Sequence, residues 1–160
     1  MLTIWARVRK STEETGSSAT NSCGRTESAR DRLELRLDDM VRVARWALER
    51  YGAKAAVLAG FSFGAFVQTR VAKTLDVERM VLVGVPNGVI EGARSYAPEP
   101  VPADTLIIHG ERDETVPLAR VFEWARPMEL PVVVIPGADH FFHRRLHIIR
   151  NIVKGSWQLS

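Results

Sequence analysis

The sequence predicts an α/β fold, in which a mostly parallel sheet of about four strands is flanked by helices. Short apolar runs without polar alternation recur along the chain, and such runs are typical of strands that are covered on both faces. Amphipathic segments, with apolar residues at steps of three and four, lie between these runs and indicate helices. The regular alternation of the two favours parallel strands that are joined by right-handed crossovers.

The composition fits one globular domain preceded by an irregular segment. The chain has 160 residues, 46% of them apolar and 26% charged, which is an ordinary balance for a folded domain. Residues 8–30 contain almost no large apolar side chain, so they cannot bury enough surface to offset the entropy lost on ordering. We therefore expect a poorly ordered or irregular segment over residues 1–30 and a folded domain over residues 31–160.

Charge, hydropathy and cysteine content exclude several classes of protein. Much of the charge behind the net value of +3 lies in residues 30–50, where mixed signs at helical spacing indicate a solvated face, so we expect no nucleic-acid partner. No apolar run approaches the roughly 18 residues of a membrane helix, so we expect no membrane partner. Cys23 is the single cysteine and the N-terminus does not resemble a secretory signal, which together favour a cytoplasmic protein.

The expected elements begin with a helix over residues 31–51. Gly52 follows it and suits the position just after a helix C-terminus. The apolar run "AAVLAG" near residue 55 predicts the first buried strand, and a helix over residues 62–75 follows directly.

The second half of the chain continues the alternation. Three further strands are expected near residues 80, 105 and 132. Pro117 suits the first position of the next helix, "VPLARVFEWA", and the closing helix has Leu146, Ile149 and Val153 on one side. The link over residues 85–104 contains four prolines, so we expect no helical cap there and an open site.

Three chemically capable side chains follow the expected strands. Ser62, Asp113 and His140 each come just after the carboxyl end of a strand, and these ends meet at one edge of a parallel sheet. A serine hydroxyl becomes a useful nucleophile when a histidine takes its proton, and a carboxylate fixes the histidine tautomer and stabilises the imidazolium. The sequence therefore predicts a nucleophile, a base and an acid in one constellation.

Each of the three residues also has a simpler interpretation. Ser62 could be a helix N-cap, Asp113 could complement a helix dipole, and His140 could cap a loop. The order serine, aspartate, histidine and the Gly-x-Ser-x-Gly pattern between a strand and a helix favour the catalytic interpretation. Glycines on both sides of the serine would let a strained turn close and let backbone approach backbone.

Four motifs now carry a family resemblance. Over residues 37–153 the stretches "GFSFGAFV", "LVGVPNG", "TLIIHGERDETVPL" and "GADHFFHRRL" resemble the bacterial α/β-hydrolases of the dienelactone-hydrolase-like group, which are small hydrolases without a lid. The resemblance implies a partial α/β-hydrolase fold and a serine hydrolase of carboxylic esters or related acyl compounds, with no cofactor.

The resemblance also implies individual roles. Ser62 would be the nucleophile, His140 the base and Asp113 the acid of a triad that forms an acyl-enzyme. Phe63 would supply a backbone N–H to the oxyanion hole. The remaining residues of the nucleophile turn would be Gly60, Phe61 and Gly64.

The N-terminal part departs from the family pattern. The strands and the small-residue loop that hold the other oxyanion donor are not visible in the roughly 50 residues before the first strand, so the chain looks N-terminally truncated. One lost donor typically lowers the rate about 10²- to 10³-fold. A non-catalytic remnant that binds or self-associates is therefore the alternative function, and an acyl-binding or acyl-transfer protein is a third.

In the family that the chain resembles, the strand near residue 55 pairs with a further strand, which is not visible in this sequence. An unpaired edge exposes N–H and C=O groups that promote association. We therefore expect either that residues 2–8 pair beside this strand, or that the protein forms a homodimer or aggregates through the edge.

The other histidines suggest no metal site. His140, His143 and His147 share a helical spacing, but the run starts in a loop and has no further ligand cluster. His109 lies at a strand end and is expected to be a buried histidine with satisfied hydrogen bonds.

Overall fold

The structure, a computed structural model, describes residues 3–5, 29–90 and 94–158. The first half of this part contains strand β1 (Thr3–Trp5), helix α1 (Ala29–Tyr51), strand β2 (Ala56–Phe61), helix α2 (Phe63–Val71) and strand β3 (Val77–Val83). The second half contains strands β4 (Gly88–Ile90), β5 (Arg94–Tyr96) and β6 (Leu106–Gly110), helix α3 (Leu118–Ala125), strand β7 (Val132–Ile135) and helix α4 (Leu146–Gln158).

Within the described residues the main sheet has the order β1-β2-β3-β6-β7, and every neighbouring pair is parallel. The four strands expected from the sequence are β2, β3, β6 and β7, so the predicted fold class is confirmed. Their carboxyl ends lie at one edge, because Phe61 pairs with Val83 and Gly110 pairs with Ile135.

Strand β1 pairs with the edge of β2 for which the sequence indicates no certain partner strand. Thr3 lies opposite Val57 and Trp5 opposite Ala59. The expectation that part of residues 2–8 returns to this edge is confirmed for residues 3–5. Homodimer formation through a sheet edge stays a prediction.

Helix α1 begins two residues before the expected start and ends as predicted. Gly52 has φ 63°, and the N–H groups of Gly52 and Ala53 donate to the carbonyls of Glu49 and Leu48. These paired bonds satisfy the last carbonyls of a helix and make Gly52 its C′ residue. The boundary proposed near residue 30 stays an expectation, because residues 6–28 lie outside the described part.

Apolar side chains fill both faces of the sheet. Leu58, Leu82 and Ile107 point to the layer that contains α1, α2 and α3, and the alternate residues Val81 and Ile108 point to the layer that contains α4. This two-sided burial explains why the strands read as continuous apolar runs. None of the helices in the described ranges combines the length and apolar character needed to cross a membrane.

Several local expectations need correction. Helix α2 ends at Val71 instead of residue 75, and Pro117 is the N-cap of α3 instead of its first residue. Leu146, the first residue of α4, is exposed, whereas Ile149 and Val153 pack against the core as expected.

The link between β3 and β6 contains a two-stranded hairpin, in which Val89 lies opposite Ser95. The described part of the link contains no helix. The expectation that it forms no helical cap therefore agrees with the residues that the structure describes.

Candidate active site

Ser62 lies on a strained turn between β2 and α2. Its φ is 52° and its ψ is −123°, a backbone conformation that residues other than glycine rarely adopt. Its N–H donates to the carbonyl of Val83 at 2.8 Å, which holds the turn against the neighbouring strand. Backbone strain of this kind persists where the surrounding structure imposes it, and it is concentrated at functional sites. The turn presents the hydroxyl of Ser62 at the carboxyl edge of the sheet.

Gly60 is required by the close packing of this turn. A Cβ at Gly60 would lie 2.5 Å from the Gly64 carbonyl oxygen and 2.6 Å from the Ala65 nitrogen. A Cβ at Gly64 would have no neighbour within 4 Å among the described residues. The close contact expected of both glycines is therefore found at Gly60 only, because the backbone of α2 passes over β2 at that point.

His140 connects Ser62 to Asp113. Its Nε2 lies 2.9 Å from the Ser62 hydroxyl oxygen, and its Nδ1 lies 2.7 Å from Asp113 Oδ2. The Asp113 side chain is fully buried and the His140 side chain is 6% exposed. Nδ1–H donation to the carboxylate leaves Nε2 as the acceptor for the serine proton. The structure thus brings the three predicted residues into one hydrogen-bonded series.

The Asp113 carboxylate is held by the backbone of its own loop. Its Oδ1 accepts the N–H groups of Thr115 at 3.0 Å and Val116 at 2.7 Å. These bonds leave Oδ2 free to accept from His140. Helix α3 begins only at Leu118, so Asp113 contacts the preceding loop instead of capping the helix.

The loops that contain Asp113 and His140 are bonded to each other. The N–H of Arg112 donates to the carbonyl of Ala138 at 2.9 Å, and Gly137 donates to Glu111 Oε2 at 2.6 Å. A Cβ at Gly110 would lie 2.6 Å from the Ala138 oxygen, so this strand end needs glycine for the loops to meet. This mutual bonding fixes the distance between the acid and the base.

His109 lies directly beneath the acid. It is fully buried, its Nε2–H donates to the Val116 carbonyl at 2.9 Å, and the same nitrogen is 3.5 Å from Asp113 Oδ2. Desolvation lowers the pKa of His109 below its ordinary value of 6.5 and so favours the neutral ring. Nδ1 has no hydrogen-bonding partner among the described residues. The expected burial is confirmed, but only one of the two ring nitrogens is satisfied.

Asp139 and His143 form an exposed pair next to the base. Asp139 Oδ2 lies 2.5 Å from His143 Nδ1, and Oδ1 accepts the His143 N–H at 3.1 Å. The side-chain hydrogen bond from His143 lowers the pKa of Asp139. The described ranges contain no group of three or more side chains arranged to hold a metal ion. The two hydrogen bonds between Asp139 and His143 stabilise the turn that follows His140.

Two exposed aromatic rings lie beside His140. The ring centroids of Phe61 and Phe141 are 5.1 Å and 5.2 Å from that of His140. Gly84 has φ 60°, which favours glycine, and a Cβ there would make an ordinary contact with His140, 3.4 Å from Cε1. Phe141 and Gly84 were not among the predicted site residues. The available signals were the position of Phe141 directly after His140 and of Gly84 directly after a strand.

Phe63 is the first residue of α2, directly after the serine. The first N–H groups of a helix have no partner within the helix, and the helix dipole adds a partial positive charge there. The Phe63 N–H is therefore a suitable donor to a developing oxyanion. Much of the stretch of roughly 50 residues before β2, where the sequence shows no unit for a second donor, lies outside the described residues.

Comparisons with known proteins point to one family. Residues 19–150 match a family model described as an alpha/beta hydrolase domain. No curated protein matches the chain significantly. Among solved structures, an a/b serine hydrolase without lid from Xanthomonas campestris is similar, with 29% identity and a TM-score of 0.68. An alpha-beta serine hydrolase homologue from Coxiella burnetii is also similar, with 31% identity and a TM-score of 0.61.

The alignments cover most of this chain but less of the relatives. They include 86% of this chain and 62% of the Xanthomonas protein, and 90% of this chain and 66% of the Coxiella protein. The chain thus spans less than two thirds of the length of either solved relative.

Proposed function

Because this chain belongs to the alpha/beta hydrolase domain family, we propose that it is a serine hydrolase that cleaves a carboxylic ester or a related acyl compound. One observation supports this proposal above the others: His140 lies within hydrogen-bonding distance of both the Ser62 hydroxyl and the buried Asp113 carboxylate. A helix cap or a structural histidine does not need all three groups in series. General-base activation of a serine does.

In the proposed acylation step, Ser62 Oγ attacks the carbonyl carbon while His140 Nε2 accepts the hydroxyl proton. The negative charge that develops on the carbonyl oxygen is stabilised by the Phe63 N–H at the start of α2. Asp113 stays ionised and stabilises the imidazolium through Nδ1. His140 then donates the proton from Nε2 to the leaving oxygen, which departs as an alcohol and leaves an ester on Ser62.

Deacylation repeats the same proton movements with water. His140 Nε2 accepts a proton from water, whose oxygen attacks the acyl-Ser62 carbonyl, and then returns that proton to Ser62 Oγ. The products are a carboxylic acid and the free serine. These steps use only side-chain and backbone groups of this chain.

A non-catalytic role is the alternative. Phe63 is the single oxyanion donor identified in the described residues, and the loss of one such donor typically costs about 10²- to 10³-fold in rate. This observation favours a protein that retains the fold and binds a partner or a second copy of itself. The acyl-binding or acyl-transfer alternative has no separate observation in its favour.

Hydrolysis of para-nitrophenyl acetate separates the two functions. The wild-type chain should hydrolyse this ester, and Ser62→Ala should lose the activity while keeping the native circular dichroism spectrum. Ser95→Ala is the matched control, because Ser95 is an exposed serine on the hairpin. A folded wild-type protein with no more activity than Ser62→Ala would favour the non-catalytic role.

A further inference from the structure

Phe61 and Phe141 form an exposed aromatic pair beside His140 in the candidate active site. Their side chains are 43% and 62% exposed, and their ring centroids are 6.2 Å apart. Both rings also contact the ring of His140, at 5.1 Å and 5.2 Å. The pair therefore offers apolar surface directly beside the imidazole that exchanges protons with the substrate.

The turn after His140 holds Phe141 in this exposed position. The next residue, Phe142, is buried and has φ 53°, which sends its side chain into the core. The Phe141 ring also lies 5.9 Å from the ring of His143, which is itself fixed by Asp139. These contacts hold the ring of Phe141 beside His140 and leave much of the residue open to solvent there.

The chemistry of the proposed reaction assigns one part of the substrate to this surface. His140 must give its Nε2 proton to the leaving oxygen, so the leaving group lies against His140 at that moment. Surfaces next to His140 therefore contact the alcohol portion of the ester more closely than surfaces next to Phe63, where the carbonyl oxygen lies.

We propose that Phe61 and Phe141 bind the leaving group, and that the enzyme prefers esters of aromatic or bulky apolar alcohols. This inference rests on the proposed hydrolase function. Offset or edge-to-face contacts between aromatic rings add to the area that they bury, so an aryl leaving group fits this pair best.

A second copy of the chain is a poorer occupant of the same surface. A stable interface buries about 800 Å² on each partner, whereas one aromatic side chain supplies about 150–250 Å² when it is fully buried. Two rings that are already partly buried supply only a fraction of the area that a stable interface needs. They are better suited to contact one ring of a small substrate.

The test compares two acetate esters whose leaving alcohols have similar acidity, benzyl acetate and methoxyethyl acetate. We expect Phe141→Ala to lower the ratio of their kcat/KM values by about 3- to 10-fold, with the larger loss on benzyl acetate. Phe122→Ala is the matched control, because Phe122 is an exposed phenylalanine on α3, and it should leave the ratio unchanged. An unchanged ratio in Phe141→Ala would overturn the proposal.

A binding measurement separates this inference from the proposed function. Saturation-transfer NMR of benzyl alcohol should give ring signals with Ser62→Ala protein and much weaker signals with the Ser62→Ala, Phe141→Ala double variant. If benzyl alcohol binding depended on Phe141 but the wild-type chain cleaved no ester, the binding site would be supported and the hydrolase function overturned. If the wild-type chain cleaved esters but benzyl alcohol did not bind in this way, the hydrolase function would be supported and the binding site overturned. If light scattering showed that Phe141→Ala converts a dimer to a monomer, the pair would be an interface instead of a substrate subsite.

Discussion

The Nε2 atom of His140 lies 2.9 Å from the hydroxyl oxygen of Ser62, although 78 positions separate the two residues in the chain. The approach results from the parallel sheet, which places the ends of β2 and β7 at one edge. A local hydrogen bond also positions His140, since the N–H of Arg112 in the Asp113 loop donates to the carbonyl of Ala138 in the His140 loop.

The strain at Ser62 gives a prediction in which stability and activity move in opposite directions. Ser62→Gly should remove the hydroxyl and relieve the positive φ of 52°, so the free energy of unfolding should rise by about 1 kcal/mol while ester hydrolysis disappears. Urea unfolding followed by circular dichroism measures the first effect. A less stable Ser62→Gly protein would show that the turn is not strained.

Asp113→Asn should disturb the tautomer of His140. The amide oxygen can still accept from the loop, but the amide NH2 then faces His140 Nδ1 and favours the tautomer with its proton on Nε2, so kcat should fall by up to about 10⁴-fold with the fold retained. The Michaelis constant should change little, because Asp113 is buried and does not contact the substrate. A variant with nearly full kcat would remove Asp113 from the proposed mechanism.

His109 predicts a pH dependence of stability. Burial lowers its pKa in the folded state, so below the ordinary value of 6.5 the unfolded chain takes up a proton that the folded chain does not. Its contribution to stability is therefore complete above 6.5 and is lost as the pH falls from 6.5 towards the lowered folded-state pKa. The slope from this one group is at most about 1.4 kcal/mol per pH unit.

His109→Gln should remove that slope while keeping an N–H for the Val116 carbonyl. Urea unfolding of the wild type and the variant at pH 7 and pH 5.5 measures the difference. His109→Met serves as a companion that lacks the donor, and it should be less stable than His109→Gln because the buried Val116 carbonyl loses its partner. Equal slopes in wild type and His109→Gln would mean that another group causes the pH dependence.

Gly84→Ala should weaken the fold. The position has φ 60°, which costs a residue other than glycine about 1–2 kcal/mol, whereas the new Cβ would make an ordinary contact, 3.4 Å from His140 Cε1. We therefore expect a lower free energy of unfolding, measured with urea, and little change in kcat. Gly155→Ala is the control, since a Cβ there meets no described atom within 4 Å and alanine favours the helix by about 0.5–1 kcal/mol. If Gly84→Ala were as stable as Gly155→Ala, the backbone at Gly84 would not require glycine.

The sequence predicts the sheet and the three chemical groups at its edge for the same physical reason. Strands covered on both faces read as apolar runs, and the residues after such runs meet at the carboxyl edge. The exposed position of Phe141 could not be predicted in this way. It lies in a turn that contains residues with positive φ, Phe142 and Arg144, whose side chains do not favour that conformation. Tertiary packing imposes these backbone angles, and local sequence does not encode them.

The central claim is that Ser62 is a nucleophile activated by His140. A fluorophosphonate reacts with an activated serine, and intact-mass spectrometry counts the adducts on each chain. We predict one adduct on the wild-type chain, located on Ser62 by peptide mapping, no adduct on Ser62→Ala, and much slower labelling of His140→Ala. A folded wild-type chain that remains unlabelled, or one that is labelled equally well without His140, would contradict the account.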